Sequence, residues 1–253
     1  MGNEEKQPFM SHLEELRKRL VWCAVAVGAG FVVAYFFSEK LFRILVSPLK
    51  AVMPEGDKLI FTNLPEMFFA YLKVSFVAGI LAAAPVIFYQ LWIFIAPGLY
   101  RKEKKLVFPF VIASTFLFVG GALFGYFIVF PFGFKFFISF ANDYVAALPS
   151  VKEYFAFSIK LLFAFGMAFE LPVVIFFLTK IGIVTPEILR KKRKYAILLT
   201  FAIGAILTPP DVITQCMMAG PLIILYEIGI LVSKTVRQKA LEKDEEVPQK
   251  DEA

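Results

Sequence analysis

Few residues in this 253-residue sequence have side chains suited to catalysis or metal binding. There is one histidine, His12, and the two cysteines, Cys23 and Cys216, do not form a CxxC pair. Sites built from several histidines are therefore excluded, and a Ser-His-Asp triad would have to use His12. The phosphate-binding patterns GxGxxG and GxxxxGKS/T do not occur. We predict no catalytic residue, no metal site, no cofactor and a protein that is not an enzyme.

The most informative side chain is an acid in an apolar stretch. Glu170 lies ten residues from Lys160 and ten from Lys180. At 1.5 Å per residue it is ~15 Å from each, near the middle of a membrane that such a stretch would span. A carboxyl group there costs at least ~2.5 kcal/mol and is functional by default, although a protonated acid or an interhelical hydrogen bond is the structural alternative. Pro172 would free a backbone carbonyl nearby.

Four other acids lie near the ends of apolar stretches. Glu227 is seven residues from the next cation, and Asp211 follows two prolines in a turn, where it is also a natural N-cap. Glu15 pairs by spacing with an arginine four residues on, and Glu103 is the one acid among four cations. Each carboxylate either forms local hydrogen bonds and ion pairs or accepts a ligand such as a guanidinium group. The sequence is compatible with both interpretations.

Composition places these acids in a membrane protein. Hydrophobic residues make up 59% of the chain and charged residues only 19%, which is too little polar surface for a soluble domain. Apolar stretches predict an all-α integral membrane protein with six transmembrane helices, at 20–37, 74–96, 106–130, 161–179, 195–208 and 211–233. We expect the fifth and sixth helices to be short. The fifth either thins the membrane locally, which we favour, or forms a re-entrant hairpin with the sixth.

Lysine and arginine predict the orientation. Of the 27 cations, 19 lie in the N-terminal segment, the second and fourth connections and the C-terminal tail. Cytoplasmic segments carry the excess of cations, so both termini are predicted to be cytoplasmic. We expect no cleavable signal peptide and a multi-pass protein of the bacterial or archaeal cell (inner) membrane. The net charge of +6 then reflects topology, and we predict no nucleic-acid binding.

Three regions are predicted along the chain. Residues 1–19 form a cytoplasmic amphipathic helix, in which Ser11 and Glu14 fit a capping box. Residues 20–233 form the six-helix membrane domain. Residues 234–253 are charged, with few apolar residues, and form a disordered cytoplasmic tail.

Proline marks three points in the predicted outer connections. Pro65 and Pro149 each precede a mixed aromatic and charged segment, and we interpret both as starts of helical extensions of the following spans. Ser47-Pro48-Leu49 has the composition of a turn.

Taken in order, these residues resemble the TatC family, the multi-spanning receptor of the twin-arginine protein export system. The family pattern M-x-H-L-x-E-L-R-x-R is matched at 10–19, and F-I-x-P-x-L-Y-x-x-E at 94–103. F-E-x-P is matched at 169–172 and T-P-P-D at 208–211, and Ser47-Pro48-Leu49 and Glu227-Ile-Gly also fit. Each motif is weak alone, but the ordered set covers nearly the whole chain and is specific.

The resemblance implies a concave, glove-like bundle that binds twin-arginine signal peptides on its cytoplasmic face and organises translocation of folded proteins driven by the proton gradient. It implies single-span TatA-type and TatB-type partners in an oligomeric receptor complex within the lipid membrane. It implies a signal-peptide site at Glu15, Arg17, Phe94 and Glu103, and partner or transport roles for Pro48, Glu170, Asp211 and Glu227.

A proton-coupled secondary transporter of small solutes that uses Glu170 is the alternative. It would need a second buried ionisable residue at similar depth, and the sequence offers only the shallower Glu227. An intramembrane enzyme would need a nucleophile–base pair or an acid cluster, and neither is visible.

Overall fold

The computed structural model describes residues 6–54, 56–95, 107–142, 144–207 and 212–245, and most of them are helical. Within these ranges no β-strand is present, only two isolated bridges. The predicted all-α class is confirmed. A π-helix at Gly125–Val129 joins α4 to α5, and the α-helices are α1 Lys6–Phe36, α2 Ser38–Lys50, α3 Glu66–Ile95, α4 Val107–Phe124, α5 Phe130–Ile138, α6 Val151–Phe169, α7 Leu171–Lys180, α8 Pro186–Leu207 and α9 Val212–Glu245.

Five helical segments of the described chain are long and apolar enough to cross a membrane. They coincide with five of the six predicted spans and are His12–Phe36, Glu66–Ile95, Val107–Ile138, Val151–Lys180 and Thr214–Gln238. The fifth predicted span is the apolar half of α8, whose other half carries the five consecutive cations at 190–194. Its shortness follows from that division, since a charged run cannot lie in the hydrocarbon core.

The sixth helix is not short, as it was predicted to be. Its candidate span, Thr214–Gln238, covers 25 residues, as many as the first span, and the helix continues further into the segment predicted to be a tail. Ser233 does not end the helix, because no glycine or proline follows before Pro248 and the intervening residues are mostly helix formers. Ser233 is buried, and its Oγ lies 2.8 Å from Thr179 Oγ1 on α7, which donates to it.

The helix α1 begins earlier than the capping box predicted. It starts at Lys6, so Ser11 lies inside the helix and is not its cap. Pro8 lies in the first turn, where a missing backbone N–H breaks no helical hydrogen bond. The predicted amphipathic segment and the first span therefore form one continuous helix of 31 residues.

Of the proline interpretations, two are confirmed and one is wrong. Helix α3 begins directly after Pro65 and α6 begins two residues after Pro149. The turn predicted at Ser47-Pro48-Leu49 is not formed, because Pro48 is buried inside α2, two residues from its end. The carbonyl that this proline leaves without a helical donor is that of Ile44, and it accepts a hydrogen bond from the Tyr126 hydroxyl at 2.7 Å.

The chain forms two compact units, Met1–Leu162 and Phe163–Ala253. In the first unit, α1 packs along α3, and α2 and α4 also pack against α3. Trp92 Nε1 on α3 donates to Ser114 Oγ on α4 at 3.1 Å, in the buried interior. The largest fully buried side chains of this unit are Phe130 and Phe155.

In the second unit, α9 packs against both α7 and α8. Ile175, Leu189 and Ile230 form its buried apolar cluster. The Tyr226 hydroxyl donates to the Leu189 carbonyl at 2.8 Å, and Gln215 Nε2 to the Phe201 carbonyl at 2.9 Å. These bonds tie α9 to α8 along their length.

The contact between α1 and α3 is made through backbone atoms. A Cβ on Gly30 would lie 2.7 Å from the Gly79 carbonyl oxygen, and a Cβ on Gly79 would lie 2.6 Å from the Phe31 nitrogen. Backbone atoms cannot move aside as a side chain can. Small residues that permit such approach are the usual basis of helix association in membranes, because lipid offers no hydrophobic driving force between helices.

We therefore expect Gly79→Ala to separate α1 from α3. Overpacking of this kind costs about 1–3 kcal/mol, so the variant should unfold at a lower temperature in detergent. Gly28→Ala on α1, one of the two helices of this contact, is the control, because a Cβ at Gly28 meets nothing within 4 Å. Equal unfolding temperatures for the two variants would contradict the close backbone contact.

Candidate functional site

Three pairs of contacts show that α1 and α3 run antiparallel. Gly30 lies on Gly79, the Arg19 side chain reaches Gln90, and the His12 ring reaches the Phe94 ring. As numbers fall along α1, they rise along α3. The start of α1 and the end of α3 therefore lie side by side, and the sequence motifs at 10–19 and 94–103 begin at this common end.

A chain of hydrogen bonds fixes the carboxylate of Glu15. Arg19 donates to Glu15 Oε1 from Nε at 3.1 Å and also from Nη2, and it donates from Nη1 to Gln90 Oε1 at 3.2 Å. The side chains of Arg19 and Glu15 are 19% and 36% exposed, so the pair is open on the Glu15 side. This confirms the predicted i,i+4 ion pair, and Gln90 extends it from α1 to α3.

The aromatic contact lies one helical turn further toward the N-terminus. The His12 and Phe94 rings stack with centroids 4.5 Å apart and planes 20° apart. Residues at i, i+3 and i+7 share one helix face, which puts His12, Glu15 and Arg19 together against α3. We call these three residues, with Gln90 and Phe94, the α1–α3 patch. It offers one carboxylate, one aromatic ring and several polar groups at the end of two long apolar helices.

The other predicted signal-peptide residues are placed only in part. Arg17 is exposed. Glu103 lies eight residues after the end of α3 and outside the described residues. The structure thus brings together Glu15 and Phe94 of the four predicted residues.

Pro48 lies in the first unit, where two tyrosine hydroxyls donate hydrogen bonds to nearby carbonyls of α2. Because Pro48 has no backbone N–H, the Ile44 carbonyl lacks a helical donor, and it accepts a hydrogen bond from the Tyr126 hydroxyl instead. The next carbonyl, that of Leu45, accepts a hydrogen bond from the buried Tyr154 hydroxyl. Tyr126 lies in the π-helix, a bulge of one extra residue that is common at functional sites. Pro48 is therefore a point at which three helical segments are joined by side-chain hydrogen bonds to backbone carbonyls.

Glu170 interrupts the fourth span. It is buried, 7% exposed, and lies between the end of α6 and the start of α7, where its nitrogen donates to the Met167 carbonyl at 3.1 Å. Pro172 follows in the first turn of α7 and cannot donate to the carbonyl four residues earlier. As predicted, a buried acid lies next to a proline that interrupts the helical hydrogen bonds.

Glu227 binds an arginine of the neighbouring helix. Its Oε1 lies 2.7 Å from Arg193 Nε, and its Oε2 accepts from Arg193 Nη2 at 2.8 Å, a two-pronged guanidinium–carboxylate pair between α9 and α8. The hydrogen bond to another helix, weighed for Glu227 from the sequence, is what the structure shows. Asp211 lies outside the described residues.

A second acid lies near the same ends of α8 and α9. Glu187 in the first turn of α8 lies 3.9 Å from Arg237 of α9. The Thr185 hydroxyl hydrogen-bonds the Glu187 carboxylate and holds the pKa of that carboxyl below its ordinary value. Glu187 therefore remains ionised beside Arg237 at neutral pH.

Sequence reasoning missed Gln90, Tyr126 and Arg193. Gln90 is the one amide in the apolar run at 86–95, and that isolation was a usable signal. Tyr126 and Arg193 gave none, because the partners Ile44 and Glu227 are distant in sequence. Among the residues that the structure describes, no group of three or more His, Cys, Asp and Glu side chains is placed to hold a metal ion.

The fold and site define a multi-span helical membrane protein with an acidic and aromatic patch at one end of two antiparallel helices. The family model of the Sec-independent protein translocase protein (TatC) matches residues 11–221. A Sec-independent protein translocase protein TatC of Desulforapulum autotrophicum is 56% identical over 243 residues, which cover 96% of this chain and 90% of the relative. The TatC protein of Escherichia coli K12 is 40% identical over 245 residues, 97% of this chain and 95% of the relative.

Solved structures agree. A crystal structure of the twin arginine translocase receptor TatC has a TM-score of 0.79 and 44% identity, and the match covers 89% of this chain and 99% of that one. A second, in DDM, has a TM-score of 0.80 and 43% identity, over 88% and 99%. The chain belongs to the TatC family of Sec-independent protein translocase proteins. The family predicted from the ordered motifs is confirmed, and with it a function in protein translocation by a multi-pass membrane protein.

The hydrogen bond from Tyr126 to Ile44 should matter only because of Pro48. Tyr126→Phe leaves the Ile44 carbonyl without its donor and should cost about 0.5–1.5 kcal/mol of unfolding free energy. Pro48→Ala restores a backbone N–H four residues after Ile44, so the same Tyr126→Phe change should cost less in that background. Unfolding of the four proteins in detergent measures the coupling, and strictly additive costs would contradict this role for Tyr126.

Proposed function

We propose that this chain is the receptor subunit of a twin-arginine translocase and binds signal peptides with paired arginines at the α1–α3 patch. The observation that carries the proposal is that two motifs almost eighty residues apart in sequence meet, because Phe94 stacks on His12, which lies one helical turn before Glu15 on the same face of α1. A carboxylate accepts a guanidinium group with two hydrogen bonds, and an aromatic ring attracts the same cation through its face.

The Glu15 carboxylate retains capacity for a ligand. Both contacts from Arg19 are to Oε1, so the lone pairs of Oε2 are not used by that arginine. Gln90 holds Arg19, and Arg19 in turn holds the rotamer of Glu15. A side chain fixed in this way loses less conformational entropy when it binds, which strengthens binding.

The second arginine of the signal is assigned to Glu103. Glu103 belongs to the motif that starts at Phe94, and it is the one acid in a connection with four cations. We propose that Arg17, exposed on the turn after Glu15, borders the same site. The hydrophobic segment of the signal peptide would lie along apolar surface of the spans beyond the patch.

The proposed site is cytoplasmic. The start of α1, the end of α3 and the cationic run of α8 all belong to the segments that hold 19 of the 27 cations, which the positive-inside rule places in the cytoplasm. We propose a cell inner-membrane protein with both termini cytoplasmic.

Single-span proteins of the TatA and TatB types are the proposed partners, in an oligomeric complex that uses the proton gradient to translocate folded proteins. Exposed apolar side chains along α1, such as Val32, Val33 and Phe36, offer surface for lipid or for a partner helix. Glu170, Asp211, Glu227 and Pro48 are proposed to act in partner assembly or transport. Membership of the translocase family does not favour the alternative of a proton-coupled transporter of small solutes.

Neutralising the proposed acceptors should weaken peptide binding. We expect Glu15→Gln and Glu103→Ala each to reduce the affinity for a twin-arginine peptide by more than about tenfold, since each loses a charge-assisted pair worth about 1.5–3 kcal/mol. Titration of labelled peptide into detergent-solubilised protein measures this. Glu14→Gln is the control, because it removes the adjacent charge from a different helix face. Unchanged affinity in the Glu15 and Glu103 variants would refute the assignment.

Glu170→Ala should impair export or partner assembly more than folding. The side chain is buried at the break between α6 and α7, so its loss removes a polar group at depth. Export of a twin-arginine reporter, normalised to the amount of inserted protein, measures the effect. A normal export rate in this variant would count against the proposed role.

A further inference from the structure

A cavity of about 500 Å³ lies in the first unit, at the opposite end of α3 from the α1–α3 patch. It is lined by α2, by the segment 57–61 and by the first residues of two spans, Met67 of α3 and Val151 of α6. The helical segments Glu66–Ile95 and Val151–Lys180 are each 30 residues long, about 45 Å, which is enough to cross the hydrocarbon core and both headgroup layers, so their first turns lie at the level of the lipid headgroups. The cavity is therefore placed where a headgroup, and not only water, has access.

Cations outnumber acids among the described residues that line this cavity. Arg43, Lys50 and Lys58 line it, and Asp57 is the one acid among those described lining residues. Arg43 also meets Glu39 through Nη2 at 2.6 Å, but both side chains are largely exposed, so this pair is weak and leaves other guanidinium donors available. Of the described lining residues, two lysines and an arginine thus face one space with one carboxylate.

The clustering is notable because cations are scarce at this end of the molecule. Only eight of the 27 cations lie in the connections on this side, and three of them line this one cavity. Its remaining wall is apolar and includes Phe42, Val46 and Phe61. Cations above an apolar wall are complementary to an amphiphile with an anionic head, because lysine and arginine bind phosphate and the wall accepts hydrocarbon.

We propose that this cavity binds an anionic phospholipid, with its phosphate held by Lys50, Lys58 and Arg43 and the start of its acyl chains against Phe42 and Phe61. With both termini cytoplasmic, as proposed above, this cavity lies at the outer leaflet of the membrane, whereas the lipid binding itself does not depend on that orientation. Met67 and Phe94 are 27 residues apart on α3, about 40 Å, so the lipid site and the peptide patch are separate.

Native mass spectrometry of the full chain in neutral detergent tests the proposal, with dioleoyl phosphatidylglycerol as the probe. We expect saturable binding of the lipid and at least a tenfold loss of affinity in the double variant Lys50→Gln/Lys58→Gln. The control Lys135→Gln/Lys160→Gln removes the same charge from the same side of the chain but from outside the cavity, and should change the affinity less than twofold. Equal losses in the two double variants would overturn the site.

Two further binding measurements identify the class of ligand. Dioleoyl phosphatidylcholine should bind at least tenfold more weakly, because its headgroup is neutral overall, and equal binding of the two lipids would overturn the anionic assignment. Inorganic phosphate should not displace phosphatidylglycerol, because it cannot use the apolar wall, and efficient displacement would overturn the lipid assignment.

Folding and the peptide site are monitored separately. All four lysines are exposed, so the unfolding temperature of the lipid-free variants should equal that of the parent. The Lys50→Gln/Lys58→Gln variant should bind a twin-arginine peptide normally. A protein that binds lipid but no peptide would refute the proposed receptor function alone, and the reverse result would refute the lipid site alone.

Discussion

The backbone contact between α1 and α3 at Gly30 and Gly79 decides where the acidic end of α1 lies. The membrane segment of α1 has no buried side chain, so this helix has little else to hold it than its line of contact with α3. Once the two glycines touch, antiparallel geometry brings Arg19 to Gln90 and His12 to Phe94. The proposed peptide site is thus a consequence of helix packing more than ten residues away from it.

A second constraint is that backbone polar groups inside a membrane must be satisfied by the protein itself. Pro48 and Pro172 each remove a donor from a helix. Around Pro48 the hydroxyls of Tyr126 and Tyr154 supply hydrogen bonds to the carbonyls of α2, which also joins α2 to the π-helix and to α6. Around Pro172 the helix breaks at Glu170. Pro48 and Glu170, two of the residues that the family resemblance marks as functional, therefore lie where the regular helix is repaired or interrupted.

Ion pairs within the protein likewise satisfy two carboxylates. Two of the described acids near the ends of the spans are engaged by arginines, Glu15 by Arg19 and Glu227 by Arg193. The two pairs differ in a way that matters for ligand binding. Arg193 uses both oxygens of Glu227, whereas Arg19 uses one oxygen of Glu15 and is itself held by Gln90. Of the two carboxylates, Glu15 has the greater remaining capacity to accept an arriving guanidinium group.

Much of this architecture followed from the sequence, because span length and cation placement are local properties. Apolar length located five spans and explained the short apolar part of α8. Two predictions were wrong for different reasons. Ser47-Pro48-Leu49 has the composition of a turn, but Tyr126, which is distant in sequence, supplies the hydrogen bond that the Ile44 carbonyl loses, and the helix continues. Disorder was predicted from Lys234 onward because the segment is charged, but its residues up to Glu245 are mostly helix formers and extend α9. Glu15 and Phe94 entered the predicted site only through family resemblance, since no spacing rule links α1 to α3.

Paired arginines are proposed to bind at the α1–α3 patch, at the end of α3. The most direct measurement replaces Phe94 with a photoreactive phenylalanine analogue and crosslinks the membrane-inserted protein to a signal peptide carrying either Arg-Arg or Lys-Lys, with the analogue at Phe68, in the first turn of the same helix, as the control. We expect a crosslink at position 94 that is strong with Arg-Arg and weak with Lys-Lys, and none at position 68. Equal crosslinking of both peptides, or of both positions, would contradict it.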